Sequence, residues 1–505
     1  MAIYNTNISG GLNTKDCTAD ASKILDGYTA GVGKEIVTGT MADNGDVSTA
    51  IVDGVLLEGF TSGGTIESMA KINGTVRTMT VNSNSSVKKG DFVEFRTNYT
   101  WGSNINLLTT TYSGYFAQVA EISENKVLIV HPSSTSSSGG LNAAIVTLTG
   151  TTATLVSDTK LISGCYYAYE KIVRLEDNRV FILYFDTSYC LYGCVCRIVD
   201  DTIEICSTTQ VTSALGDKYV PTVVRLQNNI VVVVYGYYDG SKYYTKGRVC
   251  AINNDDTITL GTAKSIISST SYYCAKDISA TYITEKKVAV IATNYVDGSS
   301  CIYGAVITVN DDYSLSSSTA SEIYGNKASN AIYCIATLNN GKIVIGTTRS
   351  SSNSGLNMKV ATISGSTFSS TGSSNISYGT TSNFDGNTTR AAYAKINNYN
   401  LLVPSRYDSG ILFGIVHISE DGSVTYDSSY INISSQSCSQ PHPYVLSNGK
   451  CIIVWGNYSS SASYVLAIRV SSTPNIQHAR IGDVNGIALD DGSAGDTVRV
   501  YLPNN

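Results

Sequence analysis

Histidine is nearly missing from this chain of 505 residues: there are four. Chemistry built on clustered imidazoles, either a catalytic triad or a His-ligated metal centre, has little to draw on. Charge is also scarce. Only 15% of residues are Asp, Glu, Lys or Arg, and 34 basic against 40 acidic residues give a formal net charge of −6. An average soluble domain carries roughly 25% charge, so this surface is polar without being ionic. Phosphate backbones demand a concentrated basic face, and nucleic acid is therefore excluded as an expected partner. No apolar run approaches the roughly 18 residues of a membrane span. The opening Met1–Ile8 lacks the basic start and apolar run of a secretory signal. The expectation is synthesis in a cytoplasm, with the 12 Cys reduced. Cys190, Cys194 and Cys196 lie close together but have no second cluster to complete a zinc site, so no metal and no cofactor are expected.

What is abundant is tyrosine: 35 Tyr against 9 Phe and 2 Trp, in a background rich in Ser, Thr, Asn and 44 Gly. Hydrophobic residues reach 42%, enough for a substantial core.

A short pattern, a polar turn followed by a β-branched run, recurs seven times. Its apolar runs begin at Val127, Val180, Ile230, Val288, Ile343, Leu401 and Cys451. The near-constant spacing marks a repeat of about 54 residues. A second strand-like segment follows each run, such as Cys194-Val195-Cys196 or Arg248-Val249-Cys250, and alternating segments flank the pair. Four short strands per unit, joined by Asn-Gly-type hairpin turns, describe a propeller blade. The seventh unit lacks its own fourth strand, and residues about 103–112 resemble the fourth strands of the other units. They are expected to complete the last blade and remove an exposed sheet edge. Residues 46–102 and 473–505 share a Gly-rich hairpin pattern, which predicts one small β-domain in two parts. The fold expected is all-β: a seven-bladed β-propeller over 103–472, inserted in that small domain, after an N-terminal attachment segment over 1–45.

Residues 18–41 read TADASKILDGYTAGVGKEIVTGTM. This segment resembles one common in tail proteins of phages that infect Gram-positive bacteria, carried here by Asp20, Ala21, Ile24, Leu25, Gly27, Thr29, Ala30, Val32, Gly33, Val37, Gly39 and Thr40. Gly31 stands where an aromatic is often found. The stretch from Gly486 to Leu502 is similar to the end of phage structural proteins. The resemblance covers about a tenth of the chain. It implies a tail fibre or baseplate protein of a phage, or of a phage-tail-like bacteriocin: a homo-oligomer, located in the virion and partnered by other tail subunits.

Tyr clusters in the loops that join the second and third strands of each unit and in the loops entering each unit. Both loop sets emerge on one face of a propeller, whereas the opposite face receives plain Asn-Asn and Asn-Gly turns. Tyr offers a rigid apolar plate with a hydroxyl and suits neutral polyhydroxylated ligands. The candidate binding residues are Tyr189, Tyr192, Tyr237, Tyr238, Asp239, Tyr243, Tyr273, Asp297, Tyr407, Asp408 and Tyr458. Asp239, Asp297 and Asp408 also sit in Tyr-Asp-Gly-Ser-like turns, where Asp before Gly is first a hairpin signal. A glycosidase would need two carboxylates about 5–10 Å apart. The strand-entry segments offer Glu170, Glu176, Asp217, Asp277 and Asp385, without a recurring pair. The function expected is non-catalytic: host attachment through a cell-surface glycan held on the Tyr-rich face. A purely structural virion subunit and a glycan depolymerase are the alternatives.

Overall fold

A computed structural model describes residues 74–97, 99–110 and most of 117–503, together with short strands near the N-terminus. Interruptions at loops include 111–116, 134–138, 166–169, 214–220, 269–277, 325–331, 349–355 and 377–392. Within residues 18–41 the described part is a hairpin, Thr29–Val32 paired with Glu35–Thr38. Among the described residues there is no helix and every regular element is a strand. Strand-forming composition accounts for this, because β-branched and aromatic residues fill alternating positions.

The chain divides into two compact units. One comprises Met1–Glu94, Asn475–Arg480 and Val484–Asn505, and the other Phe95–Pro474 with Ile481–Asp483. In the first, Gly74–Thr80 pairs antiparallel with Thr497–Pro503, with Arg77 opposite Val500. These strands from the two ends of the chain belong to one five-stranded sheet. Its core includes Met79, Val81, Val93, Val498, Val500 and Tyr501.

The second unit holds seven antiparallel sheets of four strands, in some of which the fourth strand is split in two. Sheet 1 runs Gln118–Ser123, Lys126–Pro132, Gly140–Thr149, Thr152–Ser163. Sheet 2 runs Lys171–Arg174, Arg179–Phe185, Leu191–Val199, Thr202–Thr212, and sheet 3 begins Thr222–Arg225, Ile230–Tyr238, Tyr243–Ile252. Sheets 4, 5 and 6 start at Ile278, Ile332 and Ala394. Sheet 7 takes His442–Val445, Cys451–Ser459 and Ser463–Val470 from the end of the unit. Its fourth strand is Ile105–Thr110, from the beginning, with Leu108 opposite Leu466.

The second strands are the most buried, since a strand covered on both faces reads as an unbroken apolar run. Val127–Val130, Val180–Leu183, Val231–Val234 and Ile452–Val454 are all fully buried. One apolar layer lies between sheets 1 and 2, another between 2 and 3, and others between 3 and 4, 4 and 5, and 5 and 6. A further layer joins sheet 7 to sheet 1 through Leu446, Ile452, Val454, Leu466 and Ile468. The first strands of sheets 6 and 7 also adjoin.

The polar turn of each repeat has a backbone reason. Asn125, Asn178 and Asn229, each just before a second strand, have φ of 53, 56 and 56°. In sheet 7 the same position is Gly449 with φ 78°. Left-handed backbone is costly for most L-residues and tolerated by Asn and Gly, which is why sheets 1, 2, 3 and 7 carry one or the other there. The buried thiols Cys165, Cys194, Cys196, Cys250, Cys301 and Cys451 are unbridged and pack as small apolar groups.

Packing leaves no slack at Gly193, in the third strand of sheet 2. A Cβ there would stand 2.5 and 2.7 Å from the ring of fully buried Phe181. Gly193→Ala is expected to destabilise the protein by about 1–3 kcal/mol through overpacking. Chemical denaturation checks this, and a variant as stable as the parent would show that the ring can yield.

Candidate functional site

The aromatic clusters form where second and third strands meet. In sheet 3 the ladder sets Tyr238 opposite Tyr243 and Tyr237 opposite Tyr244, with residues 239–242 as the connection. Asp239 builds this turn. Its Oδ1 accepts from the Ser241 N–H at 2.8 Å, the Ser241 hydroxyl at 2.9 Å and the Lys242 N–H at 2.8 Å. These donors, with a further bond from Tyr244, hold its carboxyl far below the usual carboxylate range. Gly240 supplies the left-handed residue, with φ 98°. Asp239 Oδ1 is therefore committed to its own hairpin.

The four tyrosines divide by strand alternation. Tyr243 is 3% exposed and stacks under Tyr238 at 4.5 Å between ring centroids. Among the described residues its ring supports that of Tyr238. Tyr238 is partly exposed, and its hydroxyl donates to the Gly240 carbonyl at 2.8 Å. Tyr237 lies on the other side, partly buried against the layer shared by sheets 2 and 3. The Lys246 ammonium sits 3.5 Å above the Tyr237 ring and 5.8 Å from that of Tyr244. Such cation–π placement fixes both groups. Burial pushes the Lys246 ammonium down, against the pull of Asp239. Lys246 was not among the expected residues. Its only signal in the sequence is its place two residues after Tyr244 on the same strand.

In sheet 2, Asp186 plays the part of Asp239: its Oδ1 accepts from the N–H groups of Ser188 at 2.9 Å and Cys190 at 2.8 Å. Tyr189 takes φ 61°, an unusual conformation for an aromatic residue, and its side chain packs against the same layer as Tyr237. The sequence-predicted Tyr189 and Tyr237 are thus brought to one apolar layer from two sheets. Tyr192 stacks on buried Tyr184 at 5.7 Å and packs against the layer between sheets 1 and 2. Tyr407 and Tyr458 belong to the second strands of sheets 6 and 7, opposite Gly410 and Tyr464. Tyr273, Asp297 and Asp408 lie outside the described residues.

Of the carboxylates weighed for glycoside hydrolysis, Asp217, Asp277 and Asp385 also lie outside the described residues. Glu170 precedes the strand Lys171–Arg174 and Glu176 follows it. At about 3.3 Å per residue they are on the order of 15–20 Å apart, too far to act on one glycosidic bond. Glu176 pairs with Arg225 at 3.2 Å. Glu170 is 1% exposed, and neither of its oxygens has a hydrogen-bond partner among the described residues. Burial raises its carboxyl to about 8, against weaker opposing pulls from its own backbone N–H and the Lys171 charge. The described residues contain no group of three or more His, Cys, Asp or Glu able to hold a metal ion.

The opposite ends of these sheets are less plain than expected. There Asp256 binds Arg197 at 2.6 and 3.1 Å and Arg179 at 3.0 Å, and Arg179 is 2% exposed. Burial opposes ionisation of Asp256, but the bonds from Arg197 and Arg179 outweigh it and hold its carboxyl below the ordinary range. The ion cluster ties the third strand of sheet 2 to the turn 253–257 of sheet 3. Sequence reading missed it because its members are 59 to 77 positions apart.

No protein-family model matches the sequence, and no curated protein is similar to it. Solved structures with a similar course of chain include Sqt1 from Chaetomium thermophilum, 8% identical over 79% of this chain and 97% of that one, with a TM-score of 0.41. A protein of unknown function from Dyadobacter fermentans is 7% identical over 75% of this chain and 100% of its own, with a TM-score of 0.44. A candidate 6-phosphogluconolactonase from Bacteroides fragilis is 14% identical over 70% and 96%, with a TM-score of 0.40.

Proposed function

We propose that the seven sheets form a closed seven-bladed β-propeller whose tyrosine-bearing hairpins recognise a neutral glycan, without catalysis, as part of a phage or bacteriocin tail appendage. Three things support the ring. Apolar layers run from each of sheets 1 to 5 to the next, the first strands of sheets 6 and 7 adjoin, and a further layer lies between sheets 7 and 1. The strand Ile105–Thr110 adds N-terminal chain to the last sheet, which ties the ring shut as a single strand-for-strand latch. The joining of Gly74–Thr80 to Thr497–Pro503 fits a small domain into which the propeller is inserted. The tail assignment rests on the resemblance in residues 18–41. The N-terminal segment would attach to sister subunits, and several copies per particle would make weak sites effective.

The observation that carries glycan recognition is the hairpin 237–246, where rigid rings are fixed before any ligand arrives. Tyr238 rests on Tyr243, and Tyr237 is clamped by Lys246. Rings held in advance lose little entropy on binding, as sugar stacking requires. The hydroxyls of Tyr237 and Tyr238 and the ammonium of Lys246 would meet sugar hydroxyls.

The full chain is expected to bind a neutral cell-wall polysaccharide in a glycan array. Tyr238→Ala should weaken that binding about tenfold or more, and Asp239→Asn should act only through the turn. Binding of every polysaccharide lost equally in a distant surface variant, or no binding at all, would turn the reading toward a structural subunit. Release of reducing ends would make the protein a depolymerase.

A further inference from the structure

Three hydrogen-bond donors from three sheets gather at the end of the first strands that lies away from the tyrosine hairpins. Arg174 ends the first strand of sheet 2 and Arg225 ends that of sheet 3. The ladders place them at one level: Arg174 opposes Val180 and Arg225 opposes Val231, each the second residue of the following strand. Glu121 holds the same level in sheet 1, opposite Val127. The first strands of sheets 1 and 2 adjoin, as do those of sheets 2 and 3. From sheet 7, Tyr444 reaches in, and its phenolic oxygen accepts the Glu121 backbone N–H at 3.1 Å.

Donors outnumber acceptors here. Each carboxylate oxygen of Glu121 already accepts one bond, from the Ser447 N–H at 2.7 Å and the Ser447 hydroxyl at 2.8 Å. Glu176 takes one arm of Arg225 at 3.2 Å and also accepts from Asn229 at 3.5 Å. Arg174 makes no hydrogen bond or ion pair among the described residues. The oxygen of Tyr444 is engaged as an acceptor, which leaves its own hydrogen to donate. Two guanidinium groups stand near enough that the Arg174 charge, after burial, helps to push Arg225 down against the pull of Glu176. Two like charges held close with unused N–H groups are stabilised by an anion between them.

We infer that Arg174, Arg225 and the Tyr444 hydroxyl form a site for a small oxyanion, a carboxylate or phosphate group, at the end of the sheets opposite the glycan-binding hairpins. The inference rests on the ring reading above, which brings sheet 7 beside sheets 1 to 3. Arg174 would take the anion bidentately with its free fork. Arg225 would add the arm that Glu176 leaves open, and Tyr444 would donate a single bond.

Isothermal titration of the full chain at pH 7 and low salt, with inorganic phosphate and with citrate as separate probes, tests it. Saturable binding of at least one probe is expected. Arg174→Gln and Arg225→Gln should each weaken it about tenfold or more, Tyr444→Phe severalfold, and Arg174→Lys should restore part of it. Lys286→Gln, which removes an exposed pair with Asp311, should leave it unchanged. Preference for citrate or for phosphate assigns the carboxylate or the phosphate class. Failure of both probes to bind, or losses as large in Lys286→Gln, overturns the site. Melting curves of each variant matching the parent show that the fold is kept. The ring itself is judged separately, by deletion of residues 105–110, so a missing anion site and a missing ring give different results.

Discussion

Deletion of residues 105–110 is expected to abolish the single cooperative melting transition of the seven sheets. The strand Ile105–Thr110 completes the ladder of Ser463–Val470, pairing Ile105 with Ile468, Leu108 with Leu466 and Thr110 with Tyr464. Ile105, Leu107 and Leu108 pack against the apolar layer between sheets 7 and 1. Losing three half-buried aliphatic side chains costs about 3–5 kcal/mol, and several unmade ladder bonds add to it. That is comparable with the whole stability of many domains. The neighbouring residues of the same connection would lose their anchorage too. The Gly102 N–H donates to Val470 O at 2.9 Å, Arg469 donates to Gly102 O at 2.7 Å, and Trp101 meets Phe413 edge-on at 4.5 Å. The deleted protein would also present Ser463–Val470 as an unpaired edge, a template for aggregation. Calorimetry and light scattering read the two effects together. A deletion variant that melts like the parent and stays monodisperse would refute the closed ring.

The second large effect lies at Glu170. Its carboxyl is buried without a hydrogen-bond partner among the described residues, and burial raises it to about 8, against an ordinary value of 4.5. The folded protein therefore holds a proton that the unfolded chain releases between those limits. Stability is fully present below pH 4.5, declines as pH rises, and is lost through pH 8, with no further change above. The decline is on the order of 4–5 kcal/mol in total. His442 acts in the opposite sense lower down. Burial, helped by the Lys171 charge, pushes its imidazole down to about 3, so its share of stability is present above pH 6.5 and is lost as pH falls. Because the His442 residue retains partial exposure, water reaches it and its effect is the smaller of the two. Urea denaturation at fixed ionic strength should show stability falling from about pH 6 to pH 8. Glu170→Gln should remove that fall and leave a variant more stable than the parent at pH 9. A parent curve that is flat over this interval, or the same slope in Glu170→Gln, would show that Glu170 is ionised in the folded state.

Much of the architecture was legible because it is written in local chemistry. Asn125, Asn178, Asn229 and Gly449 mark the left-handed position before the second strands of sheets 1, 2, 3 and 7, and the apolar runs behind them mark strands covered on both faces. The fourth strand of sheet 7 was legible because the seventh unit lacks its own and residues about 103–112 resemble the fourth strands of the other units. Within the candidate site, the clustering of Tyr at strand ends was readable, but the roles of the individual residues were not. Whether Tyr243 is a plate or a support depends on its neighbour across the ladder, which stacks on it. Whether Asp239 is a ligand or a turn residue depends on three donors from Ser241 and Lys242 that form only when the hairpin closes.

The sequence by itself determined the all-β character, the sevenfold repeat, the polar turns and the scarcity of groups for acid–base or metal chemistry. These follow from residue type and from periods of two and of about 54, which need no knowledge of what lies across a layer. Tertiary structure alone decided which charges are buried. Glu170, Arg179 and Asp256 look like ordinary polar residues in the chain and become enclosed only when sheets pack against one another. It also decided which groups meet, because Arg179 and Arg197 reach Asp256 across 77 and 59 positions. Charge and burial act through space, and in a repeat of sheets the residues that share space are seldom those that share sequence.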